Sequence, residues 1–152
     1  MVRTFMLPAP LQLDRQRGAA MLETALVLPL VLLVAVGIFE FGRAYQHWQV
    51  LTNAAREGAR VAVLPGSTEE TVARRVTAYL EAGQLAGADS VSISVTPVTL
   101  DLGGGRTAGA SNVTVSLPFE FIVLQPIAEL VVRGSTAGEP ITLSASAVMR
   151  NE

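Results

Sequence analysis

Cysteine is absent from the 152 residues and histidine occurs once, as His47. Disulfide scaffolds, thiol nucleophiles and Cys/His zinc sites are excluded together. A serine–histidine–aspartate arrangement would rest entirely on His47, which stands between Gln46 and Trp48 in a helical pattern and reads as a solvent-edge residue. Charged side chains make up only 16% and aromatics 5%, and the formal charge is −2, so nothing in the totals suggests a protein that neutralises nucleic-acid phosphates. No carboxylates cluster at a loop spacing that would hold a metal through oxygen alone. The expectation is therefore a chain that is not an enzyme and takes no cofactor and no nucleic acid. What is abundant is Ala, Val and Leu. Half of the residues are hydrophobic and the mean hydropathy is +0.44, which excludes a disordered chain and places part of it in lipid.

That part is easily found. Gly18 to Phe39 is a run of 22 residues whose only ionisable side chain is Glu23, and as a helix it spans about 33 Å, enough for a bilayer core. Pro29 within it should kink the helix or cost one backbone hydrogen bond. The next apolar run, Phe121–Leu124, is too short to span. Arg3, Arg15 and Arg17 precede the segment with only Asp14 against them, which favours a cytoplasmic amino end and an extracytoplasmic remainder.

Three readings of this segment are open. Ala35-Val36-Gly37 resembles the small-residue site of a cleaved secretory signal, which would release a secreted protein beginning at Ile38. An uncleaved anchor carrying an extracytoplasmic binding module is the second. The third rests on Arg17-Gly18-Ala19-Ala20-Met21-Leu22-Glu23, a basic leader ending in glycine and then a hydrophobic helix with a carboxylate at its fifth position, the spacing of a type IV prepilin. Cleavage after Gly18 would create an amine on Ala19, one turn from Glu23. A carboxylate within an apolar segment is costly and so a functional candidate; near a helix start the macrodipole helps to hold it, and in a filament it would neutralise a neighbour's amine. Initiation at Met6 would shorten the leader without altering Gly18.

The helical pattern continues from Glu40 to about Leu64. Phe41, Tyr45, Trp48, Ala55, Ala59 and Ala62 fall on one expected stripe, with Gln46, Gln49, Asn53, Arg56 and Arg60 on another. Tyr45 and Trp48 are placed to anchor at a membrane interface. Ala54, Gly58 and Ala62 make a flat face for close backbone approach, with packing on the chain's own sheet the expected use. Pro65-Gly66 ends the helix.

Three blocks in order, Gly18-Ala-Ala-Met-Leu-Glu-Thr-Ala-Leu-Val-Leu-Pro29, Gly37-Ile-Phe-Glu-Phe-Gly-Arg43 and Thr52-Asn-Ala-Ala-Arg-Glu-Gly-Ala-Arg60, resemble the TadE-like family. Those proteins are pseudopilins, or minor pilins, of the bacterial tight-adherence (Tad/Flp) pilus system. The resemblance covers roughly residues 17–64. It implies processing by prepilin peptidase between Gly18 and Ala19, and an assembly role for Glu23. It implies motif positions at Pro29, Glu40, Gly42, Arg43, Asn53, Arg56, Glu57, Gly58 and Arg60. The implied partners are that peptidase, other pilins and pseudopilins, the inner-membrane assembly platform and membrane lipid, in a pilus used for adhesion and surface attachment. Thr24 stands where the system's major pilins carry a tyrosine, and those are much shorter chains; both departures point to the minor role.

Residues 65–152 are expected to form the extracytoplasmic head. Ser67 and Glu70 have capping-box spacing, and a helix with Val72, Val76, Tyr79 and Leu80 on its apolar face should run to Gly83 or Gly87. Val91, Ile93 and Val95 alternate, then Val98, Leu100 and Leu102 after a shift at Pro97, which indicates an edge strand or a bulge. Asp101–Arg106 fits no phosphate-binding fingerprint and reads as a hairpin loop running on through Gly109. Val113 to Phe121 and Ile141 to Met149 alternate as two further strands. Between them, Pro118 to Val132 is more apolar, with a short helix from Pro126; it should cover the open face of the sheet, an interaction surface being the alternative. Asn112-Val-Thr114 is a glycosylation sequon without weight on a bacterial strand.

The expected fold is α+β: a long transmembrane helix running into a small pilin-like domain with a second helix and an antiparallel sheet of about three strands. Residues 1–18 are a leader, 19–39 the span, 40–64 its amphipathic continuation and 65–152 the head. Loss of the leader removes three Arg and one Asp, leaving eight basic and twelve acidic side chains and a formal −4.

Overall fold

The computed structural model describes residues 13–151, with side chains from Gly18 onward apart from Val131. Arg3 and Met6 lie outside the described residues, as do the side chains of Asp14, Arg15 and Arg17. Helix α1 (Leu13–Ala62) has 50 residues and passes through Pro29 without interruption, a length of about 75 Å. Its sequence is rich in Ala and Leu, strong helix formers. The part from Gly18 is apolar and long enough to cross a membrane.

After the turn at Pro65-Gly66, helix α2 (Glu69–Ala82) begins one residue later than the sequence pattern suggests. Thr68, not Ser67, is the N-cap: its Oγ1 accepts from the Thr71 N–H at 3.3 Å, and Thr71 Oγ1 accepts from the Thr68 N–H at 3.0 Å. Thr71 thus takes the place expected of Glu70, since a short hydroxyl side chain closes the same reciprocal pair. Val72, Val76 and Leu80 are buried as expected, while Tyr79 is partly exposed at the helix flank. At the other end Gly83 is the C-cap, yet the left-handed residue is Gln84, at φ +51°. The Gln84 N–H bonds to the Glu81 carbonyl and the Leu85 N–H to the Leu80 carbonyl, which places Gln84 where helices most often use glycine. Gln84→Gly should raise stability by about 0.5–1 kcal/mol, read as a higher thermal midpoint of the head.

A 3-10 turn at Ala88–Ser90, not foreseen, leads into the sheet. Strands β1 (Ser92–Asp101), β2 (Thr107–Phe119) and β3 (Ile141–Arg150) form, among the described residues, one antiparallel sheet of order β1-β2-β3. Pro97 lies on the edge strand, and the β1–β2 register runs through it unbroken to Asp101↔Thr107, so there is no bulge. The hairpin loop is shorter than expected, Leu102–Arg106, with Gly109 already paired to Thr99. Gly103, Gly104 and Gly105 all have positive φ, which allows five residues to reverse the chain and close a Leu102 N–H to Arg106 carbonyl bond of 2.8 Å. β2 ends at Phe119, leaving Phe121 outside the strand.

Both long helices lie on one face of the sheet. α1 packs against β2 and β3, and α2 packs beside α1 with its first turns across a groove from Ile93–Val95. Leu51, Ala54, Ala55 and Ala59 of α1 meet Val72, Val76 and Leu80 of α2 and Val113, Val115 and Leu117 of β2 in a single core. The opposite face carries rows of hydroxyls in register, such as Ser92↔Ser116↔Ser144 and Ser94↔Thr114↔Ser146. Helix α3 (Leu124–Val131) starts two residues before Pro126 and packs against α1. It packs on α1 and so does not cover the hydroxyl-bearing face of the sheet.

Candidate functional site

The side of α1 that the head buries begins at Glu40 and continues through Ala44, Leu51, Ala55 and Ala59, at helical spacing. Phe41, Tyr45 and Trp48, expected on the same stripe as Ala55 and Ala59, are instead mainly exposed. The buried arc turns about the axis toward Glu40 because polar atoms from the head are waiting there.

Glu40 is completely buried. Its Oε1 accepts from the backbone N–H groups of Ile122 and Val123, each at 2.8 Å, and its Oε2 from Arg43 Nη2 at 2.8 Å. Val123 is the N-cap of α3 and supplies no side-chain cap of its own. A carboxylate from α1 therefore satisfies donors that the α3 terminus would leave unpaired, at the end of the helix dipole that favours negative charge. Arg43 Nη2 also donates to the Glu120 carbonyl at 2.5 Å, and its guanidinium lies 4.5 Å from the centre of the Phe119 ring. Edge-to-face contacts of Phe119 with His47 (5.3 Å) and Phe121 (5.2 Å), and of Phe121 with Phe41 (5.8 Å), complete the latch. An open cleft of about 320 Å³ lies beside it, lined by Arg43, His47, Ser90, Phe119 and Ile122 among others.

Burial alone would raise the Glu40 pKa; Arg43 and the two backbone N–H groups outweigh it and hold the carboxyl below its ordinary value of 4.5. His47 is pushed below 6.5, by desolvation first and then by the Arg43 charge. Both folded-state values are depressed, so both groups bind fewer protons folded than unfolded and stability falls with acidification. The head should lose stability as pH drops below 6.5 through His47, and again below 4.5 through Glu40. A denaturant titration across pH 7.5 to about 3 checks this, and His47→Gln should remove the upper step only.

Further along α1, Glu57 Oε1 accepts from Arg75 Nε at 3.0 Å and Nη2 at 2.6 Å, joining α1 to α2, with Arg60 at 3.9 Å. Gly58 lies where α1, α2 and the sheet converge: a Cβ there would stand 2.6 Å from Val76 Cγ2 and 3.1 Å from Val113 Cγ1. The flat face of small residues thus packs within this chain. Asn53 and Arg56 are exposed, and Gly42 has open space around it.

Gly18, Ala19, Glu23 and Pro29 all lie on the apolar half of α1 and are exposed, as is nearly everything from Gly18 to Phe39. Thr24 Oγ1 donates to the Ala20 carbonyl at 2.9 Å, and a shallow groove runs past Glu23, Thr24, Val27, Leu28 and Val31. The expected site residues accordingly separate into two groups. One is a bare apolar half-helix carrying Gly18, Ala19 and Glu23; the other ties α1 into the head through Glu40, Arg43, Glu57 and Gly58. The receptors of the Glu40 latch, the Ile122 and Val123 amides, were not foreseen, because a backbone N–H has no signature in sequence. The signal that was available is a lone glutamate at the start of a stripe that buries only apolar residues.

Such a chain belongs to the class in which one continuous helix supplies both a membrane-length apolar segment and the core helix of an α+β head. Residues 18–60 match the family described as TadE-like protein, the family that the three motif blocks resemble. No curated protein and no solved structure matches the chain. The TadE-like segment thus covers the two halves of α1 together and stops before the head's other elements begin.

Proposed function

We propose that this protein is a TadE-like pseudopilin or minor pilin, inserted as a single-pass inner-membrane protein with its amino end in the cytoplasm, cleaved by prepilin peptidase after Gly18, and active in Tad/Flp pilus assembly. It works by association, without catalysis or a cofactor. The observation that carries the reading is the TadE-like match over a helix whose residues 18–39 are almost all exposed while its later part is core. An apolar half-helix left bare by its own fold needs an apolar environment, which a bilayer or a bundle of like helices supplies. Glu23 is the single ionisable side chain between Gly18 and Phe39, and its carboxylate is the one available there to pair with a neighbour's Ala19 amine. The partners are the peptidase, other pilins and the assembly platform.

Sequencing the mature amino terminus tests the processing step: Ala19 is expected, whereas Met1 would mean an uncleaved anchor and Ile38 a secreted protein. For the assembly step, Glu23→Ala should leave cleavage intact and reduce surface pili by about tenfold or more, the order of one lost buried charge pair. Normal piliation in that variant would refute the role given to Glu23.

A further inference from the structure

Within Gly18–Phe39 Leu33, Val36 and Gly37 are the half-buried positions among exposed ones, and they form a turn-spaced stripe leading into the buried Glu40 and Ala44. On that side the connection after β2 is fastened to α1, through the Ile122 and Val123 amides on Glu40, Phe121 against Phe41, and α3 packed on α1. The connection buries Leu124 and Ala128 but leaves Ile122 65%, Leu130 85% and Val132 60% exposed. Ile38, Phe39 and Phe41 on α1 are exposed as well.

The level of this apolar collar follows from α1. Glu40 is one residue beyond the apolar run, a rise of about 1.5 Å, whereas the headgroup layer on each side of a bilayer core is about 5–7 Å thick. When residues 18–39 fill the hydrocarbon, groups bonded directly to Glu40 lie within that layer. We propose that the 120–133 connection, with α3, is a second membrane contact: it rests in the headgroup layer of the outer leaflet, beside the point where α1 emerges, and fixes how the head sits on the bilayer. The inference relies on α1 spanning the membrane. Exposed Glu120 and Glu129 flank the collar against Arg133, so apolar insertion holds it and anionic lipid is not required.

With no cysteine in the chain, single cysteines introduced into the full-length protein carry a fluorophore cleanly. Leu130→Cys, Val31→Cys and Leu102→Cys report the collar, the span and the distal hairpin in phosphatidylcholine vesicles containing a lipid with a nitroxide just below the headgroup. Quenching at position 130 should exceed that at position 102 by about threefold or more, and should be unchanged between about 0.05 and 0.5 M salt. Quenching at 130 no greater than at 102, with 31 quenched, would overturn the proposal and leave the spanning reading intact. An unquenched label at 31 would overturn both. Pyrene excimer formation between labels at 130, with lipid quenching lost, would assign the collar to a second copy of the chain and equally overturn the lipid contact.

Discussion

Glu40→Ala is expected to destabilise the head by about 3–5 kcal/mol, the range for removing one partner of a buried, hydrogen-bonded charge. Three donors lose their acceptor at once: Arg43 Nη2 and the N–H groups of Ile122 and Val123. Arg43 keeps the Glu120 carbonyl and the Phe119 ring, but among the described residues the two backbone amides bond to Glu40 alone. Hydrogen exchange in micelles gives the sharpest reading. The Ile122 and Val123 amides should lose protection first, while Val113 and Val115, in the centre of β2, exchange only with global unfolding. Glu40→Gln separates charge from hydrogen bonding. Its side-chain carbonyl can still accept from both amides, so most protection at 122 and 123 should remain, with a smaller loss of about 1–3 kcal/mol. Equal effects of the two substitutions would show that the amide bonds contribute nothing.

Gly58→Val should cost about 3 kcal/mol or more, because the first added carbon already falls 2.6 Å from Val76 Cγ2 and the branches meet Val113. Gly58→Ala is the more informative change. Alanine gains about 1 kcal/mol of helix propensity over glycine, so a net loss would measure the clash directly. The paired variant Gly58→Ala with Val76→Ala makes room for the new methyl. Its stability should exceed the sum of the two single effects by about 1 kcal/mol or more, as found for residues sharing one cavity. Chemical unfolding followed through Trp48 and the near-ultraviolet signal of the tyrosines reads both. Strict additivity would mean that α1 and α2 do not meet at this position.

Much of this architecture is written in local patterns. Residues 18–39 contain one ionisable group in 22 residues, so the span can be read directly, and the period of two in 91–95, 113–119 and 141–149 identifies three strands. The α2 start was displaced by one residue because Ser67, Thr68 and Thr71 all carry hydroxyls, and only the chain's approach direction selects which of them caps. The hairpin loop is shorter than its glycines suggest because glycine marks where a turn is permitted, not where it is made, and Gly109 pairs within the strand. The motif on α1 was visible as a string of positions, but its division of labour was not. Glu57 and Gly58 are adjacent in sequence, yet one bonds to Arg75 and the other admits Val76.

The sequence alone determined the membrane-length helix, the Gly18 and Glu23 spacing, the TadE-like resemblance and the α+β class, since each depends on composition or on spacing within a few turns of chain. Only the tertiary structure decided that Glu40 closes the neck of the molecule. Its partners are backbone amides 82 and 83 residues away, identical in every residue but proline, and they become partners only when α3 docks on α1.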